Sequence, residues 1–387
     1  MAEKASFLSD RNDENGNKEE KLERAPALSD DVIFNILLRL PPESLPNLRL
    51  VCKNWYNVIS DPLFIEAHLH RSEPGFIFQK RISRSKCKTH FMEIKEGDIK
   101  VHDLDLHCPG RICASCNGLI LLESMLSLYV INPISKQRII LPPSDLSFKY
   151  PLSYEIYGFG FNSITKEYKV VHVCEYKKRK TPIPLGCEIT TVGSDSWREI
   201  DGPFFGLTEL RIPISASGIL HWAIGMDYIV SMDVGNEKFH KTPFPNCSRR
   251  SYHFLELGEF LSFANRESPV QIDVWILKDL DGGEWIKQLS IGVDCLGSLL
   301  SQDLRWGGSL DPVLLLASFR NGEVIIFECF AIDIGGFYLY DFKLERIIKF
   351  DGSCGIQLIA MDTLSSPIHV NSLVSCEPRN NRRYLSN

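Results

Sequence analysis

Residues 28–64 read LSDDVIFNILLRLPPESLPNLRLVCKNWYNVISDPLF, and they carry more apolar side chains than so short a segment can bury among themselves. Ser29 precedes Asp30 and Asp31, which predicts an N-cap and an acidic first helical turn. Four apolar residues then recur at helical spacing: Ile33, Ile36, Leu37 and Leu40. Because segments of about 40 residues rarely support an independent core, the surplus predicts that this segment binds a second protein.

Prolines divide the segment into short helices. Pro41-Pro42 ends the first helix, and Pro46 predicts a second short helix before it and a third that begins there. The third helix ends at Asp61-Pro62, and its apolar face is formed by Leu48, Val51 and Trp55. The sequence therefore predicts a small head of three helices.

This segment resembles the F-box, the motif through which substrate receptors dock onto the Skp adaptor of cullin-type ubiquitin ligases. The matching features are Leu-Pro-Pro at 40–42, Leu45, the run RLVCKNW at 49–55 and the Asp-Pro-x-Phe ending at 61–64. Two positions depart from the family pattern, because Ser29 stands where proline is usual and Pro46 where a longer apolar residue is common.

The resemblance implies that the head binds a Skp-type adaptor. The adaptor-binding residues that it implies are Leu28, Ile33, Ile36, Leu37, Leu40, Pro41, Leu45, Leu50, Val51, Cys52 and Trp55. Some of them would hold the helices together and the others would enter the adaptor. The alternative is a generic three-helix bundle.

From about residue 75 the pattern changes to short β-branched and aromatic runs separated by Gly, Asn, Asp and Pro. A strand–turn unit recurs with Asn132, Asp233 and Asp341 at equivalent places, where each opens a turn that its side chain can brace. A second pattern, in which a tryptophan follows a strand and a polar turn, lies between these units at Trp197 and Trp285. Together they give one unit per roughly 50 residues, the period of kelch-like propeller blades.

Four short strands bury both of their faces only when such units stack in a ring. The sequence therefore predicts a fold that is mainly β with a small α head, namely a kelch-like β-propeller of about six blades behind the helices. Residues 354–376 are expected to supply closing strands. The expected blades are 75–107, 112–143, 154–200, 213–245, 254–291 and 313–350.

This body resembles the F-box-associated domain of a large plant family of F-box proteins. The matching pieces are Ser115-Cys-Asn-Gly-Leu119, Ile131-Asn-Pro133, Gly158-Phe-Gly-Phe161, Ser194-Asp-Ser-Trp197, Gly218-Ile-Leu-His-Trp222 and Ile272-Asp-Val-Trp275, in that order. The chain is thus divided into a disordered leader (1–27), an F-box (28–72), a propeller (73–376) and a flexible tail (377–387).

Composition argues against several classes of protein. The chain has 387 residues and a net charge of −6, which does not favour nucleic-acid binding. No apolar run approaches the roughly 18 residues of a membrane span, and the polar N-terminus does not resemble a signal peptide. Scattered cysteines without a secretory signal predict a reducing compartment, which is the cytoplasm, the nucleus or both.

No catalytic motif is found. A P-loop, a Gly-x-Ser-x-Gly elbow and a His-Glu-x-x-His zinc motif are all missing from the sequence. Cys113 and Cys116 form a lone CxxC pair, which supplies two of the four ligands that a structural zinc site needs. We therefore expect no catalytic residues, no metal and no cofactor.

The resemblance implies a substrate-recognition subunit of a Skp–cullin–F-box (SCF) ubiquitin ligase. Through the adaptor it would join cullin and ring-finger subunits, and its propeller would hold a protein target whose identity the sequence does not reveal. Two alternatives remain open. One is an F-box scaffold that acts outside the ligase, and the other is a propeller lectin or enzyme with an incidental helical leader.

The target site is expected on the links that join the outer strand of one blade to the inner strand of the next. These links, at about 144–156, 201–212, 246–253 and 292–312, emerge together on one face of a propeller. Aromatic residues and arginine dominate binding hot spots. The predicted target-binding residues are Tyr150, Tyr154, Arg249, Arg250, Tyr252 and Trp306.

Overall fold

A helical head precedes a ring of antiparallel sheets in the computed structural model of the chain. The structure describes residues 28–377 except for gaps at 84–85, 96–97, 107–108, 126, 150–151, 177–184, 203–212, 225–227, 248–251, 269–270, 293–312, 320–322, 330–335, 342, 344–345 and 350–367. The predicted leader and most of the predicted tail lie outside the described residues.

The head contains four helices where the sequence predicts three. They are α1 (Asp30–Leu37), α2 (Leu45–Leu48), α3 (Lys53–Ser60) and α4 (Pro62–Arg71). The short helix expected before Pro46 is a turn, and the helix expected from Pro46 to residue 61 is divided in two. The division occurs at Cys52, whose backbone is extended (φ −160°, ψ 165°) and whose Sγ accepts a hydrogen bond from the backbone N–H of Trp55 at 3.5 Å.

The fourth helix follows directly on the residues that were expected to end the helical region. Asp61 ends α3 and also caps α4, because its Oδ1 accepts the backbone N–H of Leu63 at 2.7 Å. Pro62 then occupies the first turn, where its missing N–H costs nothing. The sequence Asp-Pro therefore marks a helix start as well as a stop.

Six four-stranded antiparallel sheets, which we number as blades 1 to 6 in chain order, form the described part of the body. Blade 1 contains β1 (Gly75–Ser83), β2 (Lys86–Lys95) and β3 (Asp98–Leu104). Blade 2 contains β4 (Arg111–Cys116), β5 (Leu119–Glu123), β6 (Leu128–Asn132) and β7 (Gln137–Ile140). After helix α5 (Asp145–Lys149), blade 3 contains β8 (Leu152–Asn162), β9 (Glu167–Tyr176), β10 (Leu185–Thr191) and β11 (Arg198–Glu199).

The last three blades repeat this order. Blade 4 contains β12 (Ile214–Ala216), β13 (Ile219–Ile224), β14 (Tyr228–Asp233) and β15 (Phe239–Pro243). Blade 5 contains β16 (Tyr252–Leu257), β17 (Phe260–Ser268), β18 (Gln271–Asp279) and β19 (Glu284–Gly292). Blade 6 contains β20 (Val313–Phe319), β21 (Val324–Cys329), β22 (Gly336–Asp341) and β23 (Arg346–Lys349). The predicted propeller of about six blades is confirmed.

The fourth strand of blade 1 comes from the other end of the chain. Strand β24 (Ile368–His369) pairs antiparallel with β1, with Gly75 opposite His369 and Phe76 opposite Ile368. The sequence places closing strands within 354–376, and the structure assigns that role to β24, while 354–367 lie outside the described residues. This pairing closes the ring and covers an otherwise free strand edge.

The two repeated sequence patterns have separate structural roles. Asn132, Asp233 and Asp341 brace their turns as predicted, because their side-chain oxygens accept backbone N–H groups at 2.8, 2.7 and 3.0 Å. The tryptophans instead join neighbouring blades. The indole N–H of Trp197 donates to the carbonyl of Pro142 at 2.7 Å, and the indole N–H of Trp285 donates to that of Pro243 at 2.9 Å.

Candidate functional site

The head exposes a large share of its apolar side chains. In the described residues, four strongly exposed large apolar side chains belong to the propeller, at Met125, Ile140, Ile164 and Ile286. The head has seven, although it is far shorter: Leu28, Val32, Ile36, Leu50, Val51, Tyr56 and Leu63. An exposed apolar surface of this density is typical of a protein-binding site. We call these seven residues the head surface.

The residues that the sequence assigned to the adaptor fall into three groups. Leu28, Pro41, Ile36, Leu50, Val51 and Cys52 are exposed. Ile33, Leu40 and Trp55 are partly buried in the head, and Leu37 and Leu45 are its fully buried core. Sequence reasoning missed Val32, Tyr56 and Leu63. Leu63 follows the unexpected cap of α4, which is the signal that would have revealed it.

The head core is completed by residues from distant parts of the chain. Leu37, Leu45, Ile59, Phe64 and Ile65 pack together, with Phe34 set edge-on to Phe64 at 5.2 Å. Leu373 joins the same cluster from the C-terminal segment, and it is only 3% exposed. Ile134, from the turn between β6 and β7, packs against this cluster as well.

Polar contacts also fix the head to the propeller. The side-chain amide of Asn371 donates to Glu43 Oε1 at 2.6 Å. Lys166, in the turn between β8 and β9, lies 3.1 Å from Glu66 Oε1 on α4. These contacts and the shared apolar cluster hold the head in one place on the ring.

The position of these contacts defines two faces of the propeller. Neighbouring strands of a blade run antiparallel, so the links after its first and third strands lie at one edge, and the links after its second and fourth strands lie at the other. The head touches the turn at 132–137 after a third strand, the turn at 162–167 after a first strand, and the segment that follows β24. We call this edge the head face and the other edge the far face.

The links predicted to bind the target begin after β7, β11, β15 and β19, which are the fourth strands of their blades and end at the far face. Tyr150, Arg249, Arg250 and Trp306 lie outside the described residues, and Tyr154 lies in β8 with its side chain outside the described part.

Tyr252 has a different environment from the one expected of a loop residue. It begins β16 and is 9% exposed. Its ring stacks on Phe263 at 5.3 Å and packs against Phe244 and Phe254. The structure therefore places Tyr252 in the aromatic core of the ring.

A buried ionic cluster lies within blade 3. His172 of β9 is fully buried, with Nδ1 2.8 Å from Glu188 Oε1 and Nε2 3.2 Å from Glu155 Oε2. The Tyr157 hydroxyl donates to Glu155 Oε2 at 3.0 Å, and its ring stacks on the imidazole. Burial opposes the charged imidazole, but hydrogen bonds to the two carboxylates raise the pKa of His172 overall. The hydrogen bond with His172 lowers the pKa of Glu155.

This cluster does not have the geometry of a serine–histidine–acid relay. The Ser144 hydroxyl is 3.3 Å from His172 Nδ1, which is the nitrogen already bonded to Glu188. A relay needs one ring nitrogen free to accept the proton of the hydroxyl, whereas each ring nitrogen of His172 already faces a carboxylate, Glu188 at Nδ1 and Glu155 at Nε2. The cluster is best explained as a structural link between β8, β9 and β10.

Replacing His172 with glutamine should destabilise the chain most at low pH. The folded-state pKa of His172 lies above its ordinary value, so its stabilising contribution is complete below pH 6.5 and is lost as the pH rises through the folded-state pKa. In urea unfolding, we expect the difference in free energy between wild type and His172→Gln to be larger at about pH 6 than at about pH 9. Burial raises the pKa of Glu256 to about 7, so this carboxyl also titrates between the two pH values. It does so in both proteins, and its contribution cancels in the difference in unfolding free energy. An equal difference at both pH values would contradict this assignment.

The described residues contain no group of three or more His, Cys, Asp and Glu side chains that could hold a metal ion. Burial raises the pKa of both Cys113 and Cys116 to about 12, so these thiols are neutral. His107 and Cys108, near this pair in sequence, lie outside the described residues. Within the part of the chain that the structure covers, none of the helices has the length and apolar character to cross a membrane.

Comparisons with known proteins agree with both parts of the structure. The F-box domain matches residues 26–66, and the F-box associated beta propeller domain matches residues 69–357. F-box protein At3g07870 of Arabidopsis thaliana is 25% identical, over 85% of this chain and 86% of that protein. F-box/kelch-repeat protein At3g23880 of the same plant is 27% identical, over 77% of this chain and 87% of that protein.

A solved structure of an oligogalacturonate lyase from Vibrio parahaemolyticus matches with 12% identity and a TM-score of 0.41, over 71% of this chain and 78% of that one. The two domain matches lie where the structure has its helical head and its ring of blades. The chain therefore belongs to the family of F-box proteins that carry an F-box associated beta propeller domain.

Proposed function

We propose that this chain is a substrate-recognition subunit of an SCF ubiquitin ligase, in which the head binds a Skp-type adaptor and the propeller holds a protein target. The observation that carries the proposal is the head surface. F-box domains generally bind Skp1-type adaptors, and in this F-box the side chains of Leu50 and Val51 are 84% and 60% exposed. Covering an apolar side chain with a partner lowers the free energy most when that side chain is widely exposed to water in the free protein.

The chain would act without chemistry of its own. The adaptor would join it to a cullin, and a ring-finger subunit would bring the charged conjugating enzyme. Holding the target and that enzyme on one frame raises their effective concentration, which accelerates transfer without a catalytic residue in the receptor. We expect this assembly in the cytoplasm, the nucleus or both.

The far face is the proposed target site. The head occupies the head face, and an adaptor on the head would crowd that side of the ring. A target on the far face would remain accessible while the adaptor is bound. The proposed contact residues are Tyr150, Tyr154, Arg249, Arg250 and Trp306, whereas Tyr252 supports the ring from within.

Capture from plant cells with the proteasome blocked tests this assignment. We expect Arg249→Ala combined with Arg250→Ala to lose the proteins that wild type captures through its propeller, while binding to the adaptor is unchanged. Mass spectrometry of the captured proteins compares the two. If the double variant captures the same proteins in the same amounts, the target binds elsewhere on the ring.

A further inference from the structure

The segment that follows the closing strand contacts two parts of the molecule at once. We call residues 370–376 the strap. On the ring side, the Ser372 hydroxyl donates to the carbonyl of Asn117 at 2.8 Å. The side-chain amide of Asn132 donates to the carbonyls of Ser372 and Val374 at 3.0 and 2.6 Å. These bonds tie the strap to two turns of blade 2.

The neighbouring turn is shaped to accept the strap. Gly118 has φ +84°, a backbone conformation that glycine adopts readily and other residues rarely do. A Cβ at this position would lie 2.1 Å from Ser372 Oγ and 2.6 Å from the carbonyl oxygen of Val370. The strap therefore fits closely against a turn that is restricted to glycine.

On the head side, alternate residues of the strap complete the head. Leu373 packs among the buried residues of α1, α2, α3 and α4, and Asn371 bonds to Glu43. Cys376, three positions further on, is equally buried but belongs to the apolar cluster of blades 2 and 3. One short segment thus supplies core residues to both the head and the ring.

We infer that the adaptor-binding head of this chain is a composite of residues 28–71 and residues 371–373 of the strap, with Leu373 as a positioning residue for the head surface. The inference rests on the proposed function, since it concerns the same adaptor site. A helical segment of this size rarely holds its own core together. Leu373 is delivered by β24, so closing the ring and ordering the head surface are one linked equilibrium.

Two turns with the same asparagine, isoleucine and lysine provide a second support and an internal control. Residues 132–136 (NPISK) and 162–166 (NSITK) share the asparagine, isoleucine and lysine, and both lysines have φ +58°. In each turn the asparagine side chain accepts the backbone N–H of the isoleucine, at 2.8 and 2.9 Å. Ile134 packs against the head core, whereas Ile164 is 88% exposed. The isoleucine of this turn therefore packs on the head core in one blade and faces solvent in the next, where Lys166 contacts the head through Glu66 instead.

The test measures the affinity of the full chain for a purified Skp-type adaptor by calorimetry. We expect Leu373→Ala and Ile134→Ala each to weaken binding by about tenfold, because part of the free chain then has a disordered head that must refold to bind. Cys376→Ala and Ile164→Ala are the matched controls, and both should bind within about twofold of wild type. Amide hydrogen exchange in α1–α4 should accelerate in the first pair only.

A second readout uses the unmodified protein and does not depend on whether a variant folds. Because linkage is reciprocal, adding adaptor to wild type should slow amide exchange in residues 368–376, far along the chain from the F-box. If adaptor leaves that exchange unchanged, or if Leu373→Ala binds the adaptor as tightly as Cys376→Ala, the inference of a composite head is wrong while the proposed function stands. If wild type itself does not bind the adaptor, the proposed function fails, and the inference fails with it.

Discussion

Replacing both Leu50 and Val51 with aspartate should reduce adaptor binding by at least about 100-fold, since burying an unpaired charge in an apolar interface costs about 3 kcal/mol or more. Both side chains are more than half exposed in the free chain and lie outside the head core, so the substitution removes little packing from the head. We therefore expect the melting temperature to stay within about 2 °C of wild type, as for surface changes. Calorimetry with purified adaptor measures the affinity.

The propeller supplies the control for this substitution. Met125, in the link after β5, is 97% exposed and belongs to the far face, so Met125→Asp should bind the adaptor as wild type does. Equal binding by wild type, Met125→Asp and the double variant would show that the head surface is not the adaptor site.

Ending the chain after residue 367 should open the ring. This truncation removes β24, which leaves the edge of β1 unpaired, and it also removes Leu373 and Cys376 from two buried clusters. An open propeller with a free strand edge associates with other copies. We expect aggregation in size-exclusion chromatography with light scattering, and an apparent melting temperature lower by about 10 °C or more.

A shorter truncation separates closure from the loss of the tail. Ending the chain after Glu377 keeps β24 and the strap and removes only residues 378–387, and it should leave the protein monomeric with an unchanged melting temperature. A monomeric, equally stable protein that ends at residue 367 would contradict the role of β24 in closure.

Local signals in the sequence explain why much of the fold was predictable. The turn residues Asn132, Asp233 and Asp341 act on their own backbone within three positions, so a reader of the sequence can recognise them. The tryptophan pattern marked the blades correctly, although the bonds from Trp197 and Trp285 to preceding blades were not foreseen. Helix α4 was missed because Asp61-Pro62 was interpreted only as a stop.

Contacts between distant parts of the chain were beyond sequence reasoning. Asn371 and Glu43 are 328 positions apart, and no periodic pattern relates them. The cluster around His172 depends on the register of three strands, which brings Glu155 and Glu188 to the two sides of one ring. Tyr252 was expected in a link because strand boundaries cannot be placed from composition to within a residue or two, and here β16 begins at that residue.

Co-purification of the full chain with a cullin decides whether the chain is a subunit of the ligase. The tagged chain, a Skp-type adaptor, a cullin and a ring-finger subunit are combined and separated by size-exclusion chromatography. We expect a single complex that contains all four proteins and that loses the chain when Leu50 and Val51 are replaced with aspartate. Elution of the chain with the adaptor but without the cullin would contradict the ligase assignment and favour a scaffold outside the ligase, and elution of the chain alone would contradict both.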